Sequence, residues 1–459
     1  MKTFDAIIIG SGQGGTPLSK KLAKAGWKTA LIEKRFVGGT CINDGCTPTK
    51  SMVASAKMAY EMGRSEELGI TAKGITVDID KIVQRKNAIV SSFRNGMKEK
   101  LLHTENLYLI EGVASFTGTK TLQVIKNDES IEDLSAQYIF IDTGGKTAIP
   151  NIAGLDSIPY LTSTTILDIK VVPKHLLILG GSYIGLEFGQ MFKRFGSEVT
   201  IIDTSSRFLP HEDEDISDKL LEIIRHDGVL IHVNSKVNKF TNDAGNISVD
   251  ISIDNNPHTT TCSHVLIAAG RTPQTEELQL QKTGVEIDGR GYIKVNDKLE
   301  TNVSGIYALG DVKGGPAFTH ISYNDYVVIA QNLFEDKNVS FHNRMVPYCM
   351  FTDPQLGRIG ITEQDAQKKG LHYKVARLEM QHVARAIETS ETRGLIKAIV
   401  DADTKQILGA AVIGEQGGEL MAMLQLAMMG KIPYDDLSFA IFAHPTYAES
   451  LNNLFNQLD

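Results

Sequence analysis

Short apolar runs that lead into glycine turns are the first regular feature of this chain. Residues 4–15 read FDAIIIGSGQGG, and the next ten, with apolar residues at helical spacing, run up to Gly26. A second apolar run, KTALIEK, contains Glu33 near its end. This pattern predicts a strand, a glycine turn, a helix and a second strand parallel to the first.

The same pattern returns in the middle of the chain. Residues 175–203 read HLLILGGSYIGLEFGQMFKRFGSEVTIID. Glu33 follows Gly10 by 23 positions, and Asp203 follows Gly180 by the same 23. The matched spacing predicts two copies of one βαβ unit in an α/β fold.

The rest of the chain divides around these units. Strand-like segments such as TLQVIK and QYIFIDTGG precede a proline-flanked linker, which places a boundary near residue 150. From Pro347 onward the strands LIKAIVDAD and ILGAAVIG alternate with a Met-rich apolar helix, GGELMAMLQLAMMGK. This last region is predicted to be α+β, and the apolar stripe of its helix is interpreted as packing.

The composition argues against several classes of partner and favours one location. The chain has 459 residues, 42% of them hydrophobic, a net charge of −8 and four cysteines. No basic block or long apolar run indicates a nucleic acid or membrane partner, and the N-terminal apolar run is too short for a signal peptide. A cytoplasmic location is therefore expected, where a close cysteine pair is more often catalytic or metal-binding than a structural disulfide.

The first glycine turn has the residues of a dinucleotide site. Gly10, Gly12 and Gly15 form GxGxxG, which lets a backbone approach a pyrophosphate at a helix N-terminus. Glu33 lies where an acid accepts a hydrogen bond from a ribose hydroxyl. The alternative is an ordinary glycine turn.

The second glycine turn departs from the motif at its middle position. Ser182 stands between Gly180 and Gly185, which leaves a simple packing turn as the alternative to nucleotide binding. Asp203 favours NADH, because a carboxylate repels a 2′-phosphate. Arg207, with Ser205 and Ser206, leaves NADPH open.

Cys41 and Cys46 lie in GGTCINDGCTPTK, shortly after the first acid. If Glu33 holds a ribose, this loop runs beside the same nucleotide, which suggests a redox pair. Two buried apolar cysteines and half of a metal site are the alternatives. A zinc cluster is disfavoured because Cys262 and Cys349 are distant in sequence, and no metal is expected.

Near the C-terminus, AHPTYAE places His444 five residues before Glu449. Thr446 and Glu449 also have the spacing of a helix capping box, which is the structural alternative. A histidine fixed by a carboxylate can instead take and return the proton of a thiol.

Together, GSGQGG, GGTCINDGCTPTK, GGSYIGLEFG, AAGRTP, TNVSGIYALGDV and AHPTYAE resemble the class I pyridine nucleotide-disulfide oxidoreductases over the whole chain. The sequence around the two cysteines and the segment PYLTSTTILD are most similar to mercuric reductase-like members. The family also includes dihydrolipoamide dehydrogenase. The resemblance implies two Rossmann-like domains and a C-terminal α+β dimerisation domain. The predicted domains are an FAD domain at 1–150, an NAD(P) domain at 151–270, a central segment at 271–342 that completes the FAD domain, and a dimerisation domain at 343–459.

The resemblance also implies roles for individual residues in a homodimer. Cys46 corresponds to the flavin-side thiol and Cys41 to the thiol that attacks substrate. His444 and Glu449 correspond to an acid–base pair donated by the partner subunit, and Lys50 and Glu187 to an ion pair near the flavin. The positions implied for FAD are Gly10, Gly12, Gly15, Glu33, Gly39, Thr40, Lys50, Val113, Gly144, Asp311 and Thr319, and those for NAD(P) are Gly180, Ser182, Tyr183, Ile184, Gly185, Glu187, Asp203, Val237, Gly270 and Arg271.

Two departures bear on the substrate. The chain ends SLNNLFNQLD, without the C-terminal cysteine pair of mercuric reductases, and it has His444 where those enzymes tend to have tyrosine. A soft metal ion needs further thiolates on its route, so a small disulfide or a related species such as hypothiocyanous acid is the expected acceptor. Dihydrolipoamide dehydrogenase activity, mercury reduction and a non-catalytic redox-sensing flavoprotein are the alternatives.

Overall fold

The structure is a computed structural model that describes residues 1–243, 246–335 and 337–458. The chain forms two compact units, each assembled from three segments. The first contains Met1–Ser51, Val83–Ala148 and Gly270–Arg344, and the second contains Met52–Ile82, Ile149–Ala269 and Met345–Asp459. The three predicted domain boundaries remain predictions, because the structure divides into two compact units whose segments alternate along the chain.

A parallel sheet forms the centre of the first unit. Its five parallel strands are, in spatial order, Leu107–Gly118, Thr29–Glu33, Lys2–Ile9, Ile131–Ile141 and Ile306–Ala308. Strand Thr121–Lys126 pairs antiparallel with the first and fourth of these, and Gly145–Thr147 pairs antiparallel with Arg271–Pro273. The helices that begin in this unit are Gly15–Lys24, Gly39–Asn43, Cys46–Gly63 and Thr319–Phe334, and Ile79–Leu102 ends in it.

Alternate side chains of the first strand, Lys2–Ile9, pack on opposite faces of this sheet, and both faces are covered. Ile7 and Ile9 enter one apolar core, whereas Ala6 and Ile8 enter another that also contains Leu18 of the first helix. A strand buried on both faces is typical of a parallel sheet with helical crossovers. The predicted first βαβ unit is therefore present.

The second unit contains another parallel sheet. Its strands are, in spatial order, Leu230–His232, Glu198–Ile202, His175–Leu179, His264–Ile267 and Tyr160–Thr162. An antiparallel sheet of Ser235–Asp243, Asn246–Ile253 and Asn256–Cys262 belongs to the same unit, as do helices Tyr183–Arg194 and Glu214–His226. The predicted second βαβ unit is formed by the strand from His175, the helix from Tyr183 and the strand from Glu198.

The C-terminal part of the second unit is α+β, as predicted. Its antiparallel strands are, in spatial order, Tyr348–Met350, Gln355–Gly360, Ile407–Gly414, Leu395–Asp401 and Tyr373–Glu379. Its helices are Glu363–Lys368, Ala384–Glu388, Gly417–Met429, Tyr434–Phe439 and Ser450–Phe455.

The Met-rich helix Gly417–Met429 has two apolar faces. Leu420 and Leu424 are buried in the core, in agreement with the packing interpretation, whereas Leu426 is 65% exposed and Met429 is 62% exposed. The exposed face is an apolar surface of the kind that a partner covers.

Among the described residues, none of the helices combines the length and the apolar character required to cross a membrane.

Candidate active site

The first glycine loop is shaped so that no side chain fits. Gly10 has φ +105°, and a Cβ on it would lie 2.2 Å from the backbone oxygen of Asp142. A Cβ on Gly15 would lie 2.2 Å from the oxygen of Gly10, and one on Gly39 only 2.7 Å from the Cα of Gly12. Three predicted FAD positions therefore meet Gly39 in one tight cradle, which fits a dinucleotide pyrophosphate at the start of helix Gly15–Lys24.

Glu33 lies beside this cradle. Its Oε2 accepts hydrogen bonds from the backbone nitrogen of Ser11 at 3.0 Å and from the Ser11 hydroxyl at 2.7 Å. Its Oε1 accepts one from the backbone nitrogen of Arg35 at 2.9 Å. The carboxylate is thus fixed at the carboxyl end of its strand, where a ribose acid is required.

The second glycine loop repeats this geometry. Gly180 has φ +107°, and a Cβ on Gly185 would lie 2.0 Å from the oxygen of Gly180. Asp203 accepts hydrogen bonds from the backbone nitrogens of Gly181 at 2.5 Å and Ser205 at 2.7 Å. Ser182 takes an extended conformation just before the helix begins, so its side chain is accommodated without changing the loop.

Asp142 is a buried acid beneath the first loop that was not among the predicted site residues. Its Oδ2 accepts a hydrogen bond from the backbone nitrogen of Gly15 at 2.7 Å. Burial raises the pKa of the Asp142 carboxyl well above its ordinary value, and the negative charges of Asp311, Asp325 and Glu33 raise it further. The signal in the sequence was an acid ending the apolar strand QYIFID.

Cys41 and Cys46 lie on consecutive helices. Cys41 is half-buried within Gly39–Asn43, and Cys46 is exposed and is the first residue of Cys46–Gly63. The N-terminus of a helix stabilises negative charge on such a sulfur. Both residues are present as thiols.

Thr319 lies beside the two thiols. The Sγ of Cys46 lies 3.3 Å from the Thr319 hydroxyl. The hydrogen bond to Cys46 raises the pKa of Cys41, burial raises it further, and a hydrogen bond from Thr319 opposes both effects. Thr319, predicted as an FAD residue, therefore lies at the cysteine pair and contacts the sulfur of Cys46.

Arg271 lies beside a residue predicted for the flavin, although it was predicted for the nicotinamide nucleotide. Its guanidinium lies 3.3 Å from Asp311 and donates a hydrogen bond to the oxygen of Gly145 at 2.6 Å. Gly144 and Gly270 have φ of +69° and +119°, and a Cβ on either would meet no atom within 4 Å. The antiparallel pairing of Gly145–Thr147 with Arg271–Pro273 brings these residues together.

His444 and Glu449 form the predicted pair. The imidazole Nδ1 of His444 lies 2.8 Å from Oε2 of Glu449. The hydroxyl of Thr446 also accepts a hydrogen bond from the backbone nitrogen of Glu449 at 3.3 Å, so one half of the predicted capping box is present. The Glu449 side chain, however, faces the histidine just before helix Ser450–Phe455.

The other predicted residues lie in varied surroundings. Lys50 is on helix Cys46–Gly63, one turn after Cys46, and Glu187 is buried and accepts a hydrogen bond from the backbone nitrogen of Phe351 at 2.9 Å. Their proposed ion pair stays a prediction, because the two residues belong to different compact units. The remaining positions are Thr40 in the short helix Gly39–Asn43, Val113 on an exposed strand position, Val237 in an apolar core, and Tyr183 and Ile184 at the start of a helix.

Comparison with known proteins agrees with these features. The family model described as pyridine nucleotide-disulphide oxidoreductase matches residues 4–325, and the model of the dimerisation domain matches residues 346–455. The probable pyridine nucleotide-disulfide oxidoreductase RclA of Escherichia coli strain K12 is 38% identical over 465 residues, covering 99% of each chain. A mercuric reductase of Bacillus cereus is 33% identical over 448 residues, covering 98% of this chain and 70% of the other.

A solved structure gives the same result. The copper(II) complex of the HOCl-induced flavoprotein disulfide reductase RclA from Escherichia coli has a TM-score of 0.92 with this structure, at 37% identity and with all of both chains covered. The predicted fold class is confirmed. FAD and a pyridine nucleotide are the family's cofactors, and the matched dimerisation domain indicates a homodimer. The chain therefore belongs to the pyridine nucleotide-disulfide oxidoreductases and is an NAD(P)H-dependent flavoenzyme that acts on a disulfide.

Proposed function

We propose that this enzyme uses Cys41 and Cys46 as a redox pair to reduce a small disulfide or a related sulfur electrophile such as hypothiocyanous acid. The observation that carries the proposal is that the two cysteines lie together, with the Cys46 sulfur against the Thr319 hydroxyl, in the unit that contains the first glycine cradle. When bound, FAD supplies the two-electron chemistry between the nicotinamide and the disulfide.

The thiols then pass the electrons to the substrate. The Cys41 thiolate attacks a substrate sulfur, forming an S–S bond as the substrate's leaving group departs. The Cys46 thiolate attacks that new bond at Cys41, which closes the protein disulfide and releases the reduced substrate. For hypothiocyanous acid, one NAD(P)H is consumed, and thiocyanate and water are formed.

We infer that His444, fixed by Glu449, carries protons for this exchange at the active site of the partner subunit. His444 is two-thirds exposed on its own chain. Phe439 and Ile441, a few residues earlier, are 78% and 102% exposed. An apolar stretch leading into an exposed histidine is suited to a subunit interface.

NADH is the proposed coenzyme. Asp203 keeps its carboxylate at the second loop through two backbone hydrogen bonds, where it would repel a 2′-phosphate. The Arg207 guanidinium, the alternative ligand for that phosphate, donates instead to the backbone oxygens of Pro210 and Glu212.

Two relatives suggest candidate substrates. The similarity to an HOCl-induced reductase favours an oxidised sulfur species, whereas the similarity to mercuric reductase keeps Hg(II) as a second candidate.

A steady-state comparison with both coenzymes tests the substrate. The acceptors are glutathione disulfide, lipoamide, hypothiocyanous acid, Hg(II) and Cu(II), and dihydrolipoamide with NAD⁺ tests the reverse direction. The highest kcat/KM is expected with hypothiocyanous acid or a small disulfide. A higher value with dihydrolipoamide or Hg(II) would replace the proposal by that activity.

An anaerobic titration tests the redox pair itself. One equivalent of NADH should give the holoenzyme a long-wavelength thiolate absorption band that Cys46→Ser lacks. Flavin bleaching without that band, identical in both proteins, would identify a flavoprotein whose cysteines do not turn over.

A further inference from the structure

The loop between the two redox cysteines carries its own negative charge. Asp44 lies two residues before Cys46, so at most about 7 Å of chain separates their Cα atoms. Cys46 is the first residue of an 18-residue helix. A carboxylate beside that helix N-terminus opposes the development of negative charge on the Cys46 sulfur, because like charges repel.

Arg35 neutralises this carboxylate. Its guanidinium forms an ion pair with Asp44, whose side chain is only 14% exposed. Arg35 is itself positioned, since its backbone nitrogen donates to Glu33 and its guanidinium lies 5.5 Å from the ring centre of Phe36. The positive charge is therefore fixed at the redox loop.

A second arginine holds the same loop by a different contact. Arg94 donates from Nε to Oδ1 of Asn43 at 2.7 Å, and its guanidinium lies 3.9 Å from the centre of the same Phe36 ring. Asn43 also donates to the backbone oxygens of Val37 and Gly39. Loop geometry is thus maintained by Asn43 and Arg94, which leaves the Arg35–Asp44 pair with a mainly electrostatic effect.

We propose that Arg35 is a positioning residue for the redox pair, which it serves by cancelling the charge of Asp44 and so easing thiolate formation at Cys46. The inference rests on the proposed function of the cysteine pair. The polar and charged groups near Cys46 include the Cys41 thiol, the Thr319 hydroxyl and, one turn along the same helix, Lys50, and His444 of the partner subunit is proposed to act at the same sulfurs. All of them are retained when Arg35 or Asp44 is changed.

The test is the pH dependence of the thiolate absorption band in anaerobically reduced holoenzyme. Arg35→Gln should move the midpoint of the band up by about 0.5–1 pH unit, because Asp44 is left charged. Asp44→Asn should move it down, and the double variant should return to within about 0.3 pH unit of wild type. Both single shifts should shrink in 1 M salt, where screening acts over about 3 Å.

Matched variants separate charge from folding. Arg35→Lys keeps the charge and should keep the wild-type midpoint, and Arg290→Gln, which removes a charge from an exposed arginine of the same unit, should not shift it. FAD content and melting temperature report on folding. An unchanged midpoint in Arg35→Gln, or shifts of the same sign in both single variants, would overturn the role of Arg35. A wild-type protein without the band would instead overturn the redox pair.

Discussion

The Nδ1 atom of His444 lies 3.0 Å from Oε1 and 2.8 Å from Oε2 of Glu449, so one ring nitrogen faces both carboxylate oxygens. This contact favours the tautomer with the proton on Nδ1. The other ring nitrogen, Nε2, is then able to accept and return a proton.

Replacing this histidine should therefore slow the thiol chemistry only. His444→Ala is expected to lower turnover with a disulfide by roughly 10²–10⁴-fold. Reduction of the flavin by NADH, followed by stopped flow, should keep its wild-type rate. Thr446→Ala, which removes the partial helix cap, is the matched control and should retain turnover. Equal turnover in His444→Ala and wild type would leave Glu449 with a structural role alone.

Removing the Thr319 hydroxyl should make Cys41 less reactive. The hydrogen bond from Thr319 lowers the pKa of Cys41 against the effects of Cys46 and burial. Thr319→Val should therefore raise the pH needed for alkylation of Cys41 by about one unit, whereas Thr319→Ser should not. Iodoacetamide labelling of the reduced protein, quantified by mass spectrometry of the Cys41 peptide, measures this. Coincident pH profiles for valine and threonine would rule out the hydrogen bond.

Asp142 should make the protein less stable at high pH. Because its pKa is raised in the folded state, its contribution to stability is complete below the unfolded pKa and is lost as pH rises through the folded pKa. Asp142→Asn avoids this loss, so its free energy of unfolding should exceed that of wild type increasingly above about pH 4. Denaturant titrations across the pH range measure the difference. Asp133→Asn, at an exposed position of the strand Ile131–Ile141 that precedes Asp142, should stay parallel to wild type, and parallel behaviour of Asp142→Asn would refute the prediction.

Mutations in the two glycine loops should affect the binding of different cofactors. Gly15→Ala should reduce FAD content, whereas Gly185→Ala should keep FAD and lose reduction by NADH, because each Cβ would meet a backbone oxygen at 2.2 Å and 2.0 Å respectively. Relieving such contacts costs about 1–3 kcal/mol. Flavin absorbance and NADH reduction rates distinguish the two variants. Gly289→Ala, where a Cβ meets nothing within 4 Å, is the control. Loss of FAD from Gly185→Ala would contradict the assignment of the loops.

Asp203 should determine coenzyme choice through its charge. Asp203→Asn keeps a hydrogen-bond acceptor for Gly181 but removes the repulsion of a 2′-phosphate. The ratio of kcat/KM for NADPH to that for NADH should rise by about tenfold, which corresponds to ~1.4 kcal/mol. An unchanged ratio would remove Asp203 from coenzyme selection.

Local patterns predicted much of the fold. In both βαβ units a glycine that opens the turn, with positive φ in the structure, is followed by an acid 23 residues later. This pattern is predictable from sequence because it involves only one turn and the strands next to it. The close approach of His444 to Glu449 was also predicted, since only five residues separate them.

Contacts between residues that are far apart in the sequence could not be predicted from such local patterns. Thr319 reaches Cys46 across 273 positions, and Asp142 meets Gly15 across 127. Arg271 lies beside Asp311 in a contact that no periodicity along the chain indicates. Arg35 is near Asp44 in sequence, but their pairing depends on side-chain direction.

Because helix Gly417–Met429 lies in the matched dimerisation domain, we expect the second subunit to cover its exposed apolar face, with consequences at low concentration. Leu426 and Met429 would meet water in a separated subunit, and the proposed proton carrier His444 would leave the neighbouring active site at the same time. Dilution should therefore abolish activity and make the separated subunits aggregate at the same time. Recovery of activity should follow second-order reassociation kinetics when the subunits are concentrated again.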